Sequence, residues 1–350
     1  MKRPAAAVLV LLLAACFGAG LAQRSRSASS MPPTQAPQAA SQPKMHSAID
    51  QADLLELAAV RAPADFGEQA MAHMKAITNF GPRHTATMPT PGWTQQLDYI
   101  CDQLEKSGLV VERDTWTDRK ELLTFTNVRA VVKGKHKDRI VLACHHDTKC
   151  TQGHADPSRN FHFVGANDGG SGVAFLLAIA PVLLQRQNEA TIELLFLDGE
   201  ESLDWNWNNA TRALFGSKRF VQRQRDAELL GKAERIRALV LLDMVARSDL
   251  HIQEELYSTT ELRRILYSSA IATGHRDRFF RMAESASDDH VPFLDVGIPA
   301  VDLIDLKDNP HWHKATDTLE NCSAASLQIV GDVVLTMLPA IEAQYFGEDR

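Results

Sequence analysis

Glu200 and Glu201 stand side by side where an apolar run, residues 190–197, gives way to Asp198. Adjacent carboxylates cost free energy unless a positive charge shares them. A metal ion is the natural partner, and the chain offers further ligand types at comparable places. "RIVLAC" runs into His145, His146 and Asp147, and "LVLL" runs into Asp243. Asp168 lies in the loop "FVGANDGGSG", where Gly169, Gly170 and Gly172 let backbone approach a ligand. "DNPHWHKATDT" carries His311 and His313. Asp, Glu and His are suitable ligands for zinc. Singly, each has an ordinary reading: Asp168 as a helix N-cap, the Glu pair as solvated surface, Asp243 as a turn cap, a histidine without a task. Those readings do not explain why carboxylates and imidazoles recur where apolar runs end.

The elements that must position them are legible. "TQQLDYICDQLEKSG" puts Leu97, Ile100, Cys101 and Leu104 on one face at helical spacing, with Gly108 as a stop. Strands are expected at "LVVERDTW", "TNVRAVVKG" and "RIVLACH". "ATIELLFLD" and "RALVLLDMV" are continuous apolar runs of strand length, the pattern of strands covered on both faces. "GSGVAFLLAIAPVLLQR" is apolar nearly all round and reads as a buried helix. "ELRRILYSSAIATG" and "SAASLQIVGDVVLTMLPAIEAQYF" are further helices, and "IPAVDLID" a further strand. Alternating strands and helices predict an α/β fold: a three-layer α/β/α sandwich around a twisted, mostly parallel mixed sheet. In such sheets sites form beyond the carboxyl ends of strands, where the ionisable residues fall.

With 350 residues, 45% hydrophobic and 23% charged, the chain can bury a sizeable core. Its formal charge of −7, without a run of basic residues interleaved with aromatics, argues against a nucleic-acid partner. Residues 1–22 read as a signal peptide: Lys2 and Arg3 precede "PAAAVLVLLLAAC", too short to span a bilayer. Two ends stand side by side. "LAAC" resembles a lipobox that leaves a lipid-anchored Cys16, and "GLA" offers ordinary cleavage after Ala22. Either implies export, to the periplasm, to a membrane as a lipoprotein, or beyond the cell. Residues 23–48, rich in Ser, Pro, Gln and Ala, read as a disordered tether, and residues 49–350 as the catalytic domain. Cys101, Cys144, Cys150 and Cys322 match no zinc-finger spacing; a Cys144–Cys150 disulfide and free buried thiols are both open.

"VLACHHDTK", "FVGANDGGSGVA", "LLFLDGEES", "LFGSKRF", "LVLLDM", "DDHVPFL", "GIPAVDLI" and "HWHKATDT" occur in the order and spacing of glutaminyl cyclases (glutaminyl-peptide cyclotransferases). The resemblance runs from "FGPRH" to "HKATDT", takes in "TFTNVRA", and extends to zinc aminopeptidases of the same fold. It implies one zinc held by Asp168, Glu201 and His313, with Glu200 as acid/base and Asp243 and Asp288 in the active-site hydrogen-bond network. It also implies a tryptophan wall from Trp312 and one of Trp205 or Trp207, because the intervening segment differs in length. The implied substrates are peptide or protein N-termini whose glutamine closes to pyroglutamate with loss of ammonia.

The same fold also implies a rival. A two-zinc aminopeptidase would use His145, Asp168, Glu201, Asp243 and His313, and "GANDGGSG" is the more peptidase-like loop. The tryptophan before His313, the tryptophan-bearing stretch before "LFGSKRF", "DDHVPFL" and Lys149 favour the cyclase. A catalytically dead surface-binding lipoprotein is a third reading, opposed by the intact set of ligands and Glu200.

Overall fold

The computed structural model describes Ile49 and residues 51–86 and 89–347. The leader at 1–22 with Cys16, and the tether at 23–48, lie outside the described residues. Helices α1 (Phe66–Thr78) and α2 (Pro91–Lys106) precede strands β1 (Val111–Thr117), β2 (Thr124–Val132) and β3 (His136–His145). Then come α3 (Gly170–Gln185), β4 (Ala190–Leu197), α4 (Phe215–Leu229), β5 (Ile236–Asp243), β6 (Ile252–Glu255) and α5 (Thr260–Ala272). β7 (Phe279–Glu284), α6 (His290–Asp295), β8 (Ala300–Ile304) and α7 (Ala324–Phe346) follow.

Six strands form one sheet in the order β1-β2-β4-β3-β5-β8. β4, β3, β5 and β8 are mutually parallel; β2 runs antiparallel to β4, and β1 antiparallel to β2. Successive side chains of a strand face opposite ways, so each apolar run feeds two cores. Ile140, Leu142, Ile192, Leu194, Phe196, Val240 and Leu242 pack with α1, α3 and α7. Val141, Ala143, Leu195, Leu197, Leu239 and Leu241 pack with Val221 of α4 and Phe293 of α6. That double coverage is the three-layer sandwich the sequence predicts. α7 is apolar enough to cross a membrane, with mean hydropathy 1.7, but 67% of that stretch is buried in the domain, so here it is a core helix.

The four described cysteines are free thiols, so no Cys144–Cys150 bridge forms; Cys144 is fully buried in β3. The glycines after Asp168 pack tightly against their surroundings. A Cβ on Gly169 (φ +77°) would lie 2.4 Å from the Asp147 carbonyl oxygen, and one on Gly172 would lie 2.5 Å from both Cys144 Cβ and the Leu242 carbonyl oxygen. Gly172 thereby seats the start of α3 against β3 and β5.

Candidate metal centre

Five separate segments deliver side chains to one end of the sheet. β3 ends at His145, with Asp147 two residues on; β4 is followed by Glu200 and Glu201; β5 ends at Asp243. Asp168 arrives just before α3, and His313 in the loop after β8. Asp168 does not cap α3: the N-cap is Gly169, with no side-chain cap bond. Its carboxylate instead faces two imidazoles, Oδ1 at 3.3 Å from His145 Nε2 and Oδ2 at 3.4 Å from His313 Nε2. His313 Nε2 is 3.1 Å from Glu201 Oε1, and His145 Nε2 is 3.1 Å from Asp243 Oδ1. Two trios result, Asp168–Glu201–His313 and His145–Asp168–Asp243, each with ligand atoms within 4.8 Å of one another. Both share Asp168. His313 (φ +51°) and Met244 (φ +51°) hold left-handed backbone that residues with a Cβ rarely adopt, a form of strain that clusters at functional sites.

The backbone beneath is fixed by two carboxylates, Asp147, which the sequence offers as a ligand type, and Asp317, which it does not single out. Asp147 accepts the N–H of Glu200 at 3.1 Å and of Glu201 at 3.2 Å. Asp317 accepts the N–H of Asn167 at 2.8 Å and of Asp168 at 3.0 Å. Buried Lys149 donates to the Ser202 and Asp204 carbonyls and lies 3.6 Å from Glu201 Oε2, pinning the loop after the Glu pair. None of these roles is visible in spacing, because spacing does not say which way an N–H points.

Electrostatics separates the neighbouring glutamates. Burial raises Glu200 well above the usual carboxylate range, Asp288 adding to it and His145 opposing. Burial works the same way on Glu201, but His313 and Lys149 outweigh it and hold that carboxyl at about 2. Burial, then the charge of Asp243, pushes Asp288 to about 7. The donor set fits zinc: oxygen and nitrogen ligands, buried and convergent. Asp168 Oδ2, Glu201 Oε2 and His145 Nδ1 are buried without a hydrogen-bond partner among the described residues. Such orphaned atoms in a native fold call for an explanation, an ion among them.

A cavity of ≈ 200 Å3 opens on this cluster, lined by Asp168, Glu200, Glu201, Asp243, Asp288 and His313 with Trp207 and Trp312. Trp205 is not among its lining residues; its ring packs edge-on against His313 at 6.1 Å, under the Arg159 guanidinium. Of the remaining histidines, His146 is buried with its Nε2 2.9 Å from the Thr126 carbonyl oxygen. His290 lies behind the cavity, 3.1 Å from Glu255 and 3.7 Å from Asp302. His311 is 2.9 Å from the Thr316 hydroxyl, away from the trios.

The profile described as Peptidase family M28 matches residues 127–338. A glutaminyl-peptide cyclotransferase of Drosophila melanogaster is 28% identical over 248 residues, covering 63% of this chain and 67% of that protein. Among solved structures, a glutaminyl cyclase from an Acidobacteriales bacterium is 32% identical with TM-score 0.70, covering 83% of this chain and 99% of that one. A leucine aminopeptidase precursor from Bacteroides thetaiotaomicron VPI-5482 is 26% identical with TM-score 0.70, covering 81% and 99%. The chain belongs to peptidase family M28, in the branch that holds the glutaminyl cyclases.

Proposed function

We propose that this enzyme is a zinc-dependent glutaminyl-peptide cyclotransferase that closes the N-terminal glutamine of peptides and proteins to pyroglutamate and releases ammonia. The observation that carries the reading is the indole-walled cavity on the Asp168–Glu201–His313 trio. At ≈ 200 Å3 it falls below the roughly 300–1,000 Å3 of pockets for drug-sized ligands, and suits one terminal residue. Asp168, Glu201 and His313 would hold the ion. When bound, it supplies Lewis acidity toward the γ-carbonyl oxygen.

The chain's own residues do the rest. The attacking α-amine is tethered to its target carbon, so the protein's task is to bend one molecule rather than gather two. Trp207 and Trp312 wall the bent residue and exclude water that would compete as nucleophile. Glu200, next to a ligand but in neither trio, takes the amine proton at its carboxylate and returns it to the departing nitrogen. Asp243 and Asp288 accept hydrogen bonds from the substrate's amino group.

The second reading, a two-zinc aminopeptidase, is favoured by the His145–Asp168–Asp243 trio. One assay pair separates the two. The cyclase converts Gln-naphthylamide with release of ammonia and binds one zinc; rapid hydrolysis of Leu-p-nitroanilide without cyclisation, and two tightly held ions, give the case to the peptidase. We further infer export, with residues 1–22 as the leader and 23–48 as the tether of a domain beginning near residue 49. Labelled palmitate incorporated into the mature protein supports anchoring through Cys16, and unlabelled mature protein rejects it.

A further inference from the structure

The segment "FGPRH" closes with a residue that no step above uses. His84 is 4% exposed, and neither ring nitrogen has a hydrogen-bond partner among the described residues. A neutral imidazole offers one donor and one acceptor, and native folds rarely bury either unpaired. His84 shares a small chamber of ≈ 10 Å3 with Asp147, Asp198, Glu201 and Ser202, bordered by Phe125 and Cys150. Three more buried atoms of these residues have no hydrogen bond among the described residues: Asp198 Oδ1, Ser202 Oγ and Glu201 Oε2, the last lying 3.6 Å from Lys149 Nζ. The four residues carrying these atoms thus line one space, and only Glu201 among them also lines the ≈ 200 Å3 cavity.

The chamber does not gather a cation. Among the described residues, the trios described above are the groups whose ligand atoms come within 4.8 Å of one another, and no chamber residue but Glu201 belongs to either. Its volume is close to that of one water, and a buried water bonds to two to four polar groups. The donor count closes at four. A water there would accept from the His84 N–H and the Ser202 hydroxyl and donate to Glu201 Oε2 and Asp198 Oδ1. Only the second ring nitrogen of His84 is left outside this set.

We propose that His84 is a positioning residue for the metal centre, holding Glu201 in its ligating orientation through one buried water. Glu201 Oε1 lies 3.1 Å from His313 Nε2, so a tether on Oε2 fixes the angle at which the other oxygen meets the ion. Outer groups that orient a ligand set metal affinity.

The test is zinc titration of the metal-stripped full-length protein against a chromophoric chelator. His84→Leu is expected to weaken zinc binding about 10-fold or more, whereas His84→Gln, which can donate to the water, stays within about threefold of the parent. A His84→Leu variant that binds zinc like the parent overturns the proposal, as does a His84→Gln variant as weak as His84→Leu. If His84→Leu does not fold, His84→Gln and the parent's crystal structure decide: density for a water between His84 and Glu201 supports the proposal, and an empty chamber overturns it. The inference rests on the metal-centre reading, and the same titration tells the failures apart. A parent that binds no zinc removes both, while a zinc-binding parent matched by His84→Leu removes this inference alone.

Discussion

Glu200 and Glu201 are consecutive residues of one type, yet their surroundings drive them apart, one toward holding a proton and the other toward permanent charge. A pair of titratable groups separated in this way is how one site assigns an acid/base and a ligand. Glu200→Gln should therefore leave zinc content unchanged while kcat falls about 100-fold or more; metal analysis beside a cyclisation assay checks both halves. Trp207→Ala should raise KM for Gln-naphthylamide more than Trp205→Ala does, because Trp207 lines the cavity and Trp205 packs behind His313. Equal effects would put both rings in the wall. At this scale the carboxylates and histidines were legible because they terminate apolar runs. The choice between the tryptophans was not, because a loop's sequence does not state which side chain turns inward. The roles of Asp147, Asp317 and His84 were hidden for a related reason: they lie in where N–H groups and lone pairs point.

At the scale of elements, the central strands β4, β5 and β8 were legible because each is a short, largely apolar run. The second sheet, β6 with β7, was not. β6 reads "IQEE", polar and loop-like, yet all four residues are buried. Its carboxylates meet partners from other elements, Arg263 of α5 at 2.9 Å from Glu254 and His290 of α6 at 3.1 Å from Glu255. Such compensation is tertiary and leaves no periodic trace. α4 is also faint, since Arg, Lys and Gln dominate it and few of its residues, Phe215 and Val221 among them, turn inward. α3 shows how an element sets the site. Gly172→Ala would drive a methyl group into Cys144 and the Leu242 carbonyl. Overpacking of this kind costs about 1–3 kcal/mol, so a lower Tm is expected, together with weaker zinc binding as Asp168 is displaced. An unchanged Tm would mean that the helix gives way freely.

The whole molecule's response to acid has an identifiable contributor that belongs to neither trio. Burial would raise Glu255, but hydrogen bonds from His290 and from the Tyr257 and Ala286 N–H groups outweigh it and hold the carboxyl at about 2, against 4.5 when free. A depressed folded-state value stabilises the native form at every pH above the free value. That contribution, on the order of 2 kcal/mol once solvent screening is allowed for, disappears as pH falls through 4.5 toward 2. The stability gap between parent and Glu255→Gln should thus be largest at neutral pH and close in acid; denaturant melts across that range measure it, and a gap independent of pH would contradict the assignment. Zinc should also stabilise the fold by mass action, about 4 kcal/mol at a thousandfold excess over Kd, visible as a drop in Tm on adding chelator.

The ligand segments are scattered along the chain, with Asp168 and Glu201 in its middle and His313 in its last part. Synthesis runs from the N-terminus, so a nascent chain that stops short of His313 holds the whole His145–Asp168–Asp243 trio but only the two carboxylates of the other. Closure of the Asp168–Glu201–His313 trio is thereby postponed until the polypeptide has been made almost in full.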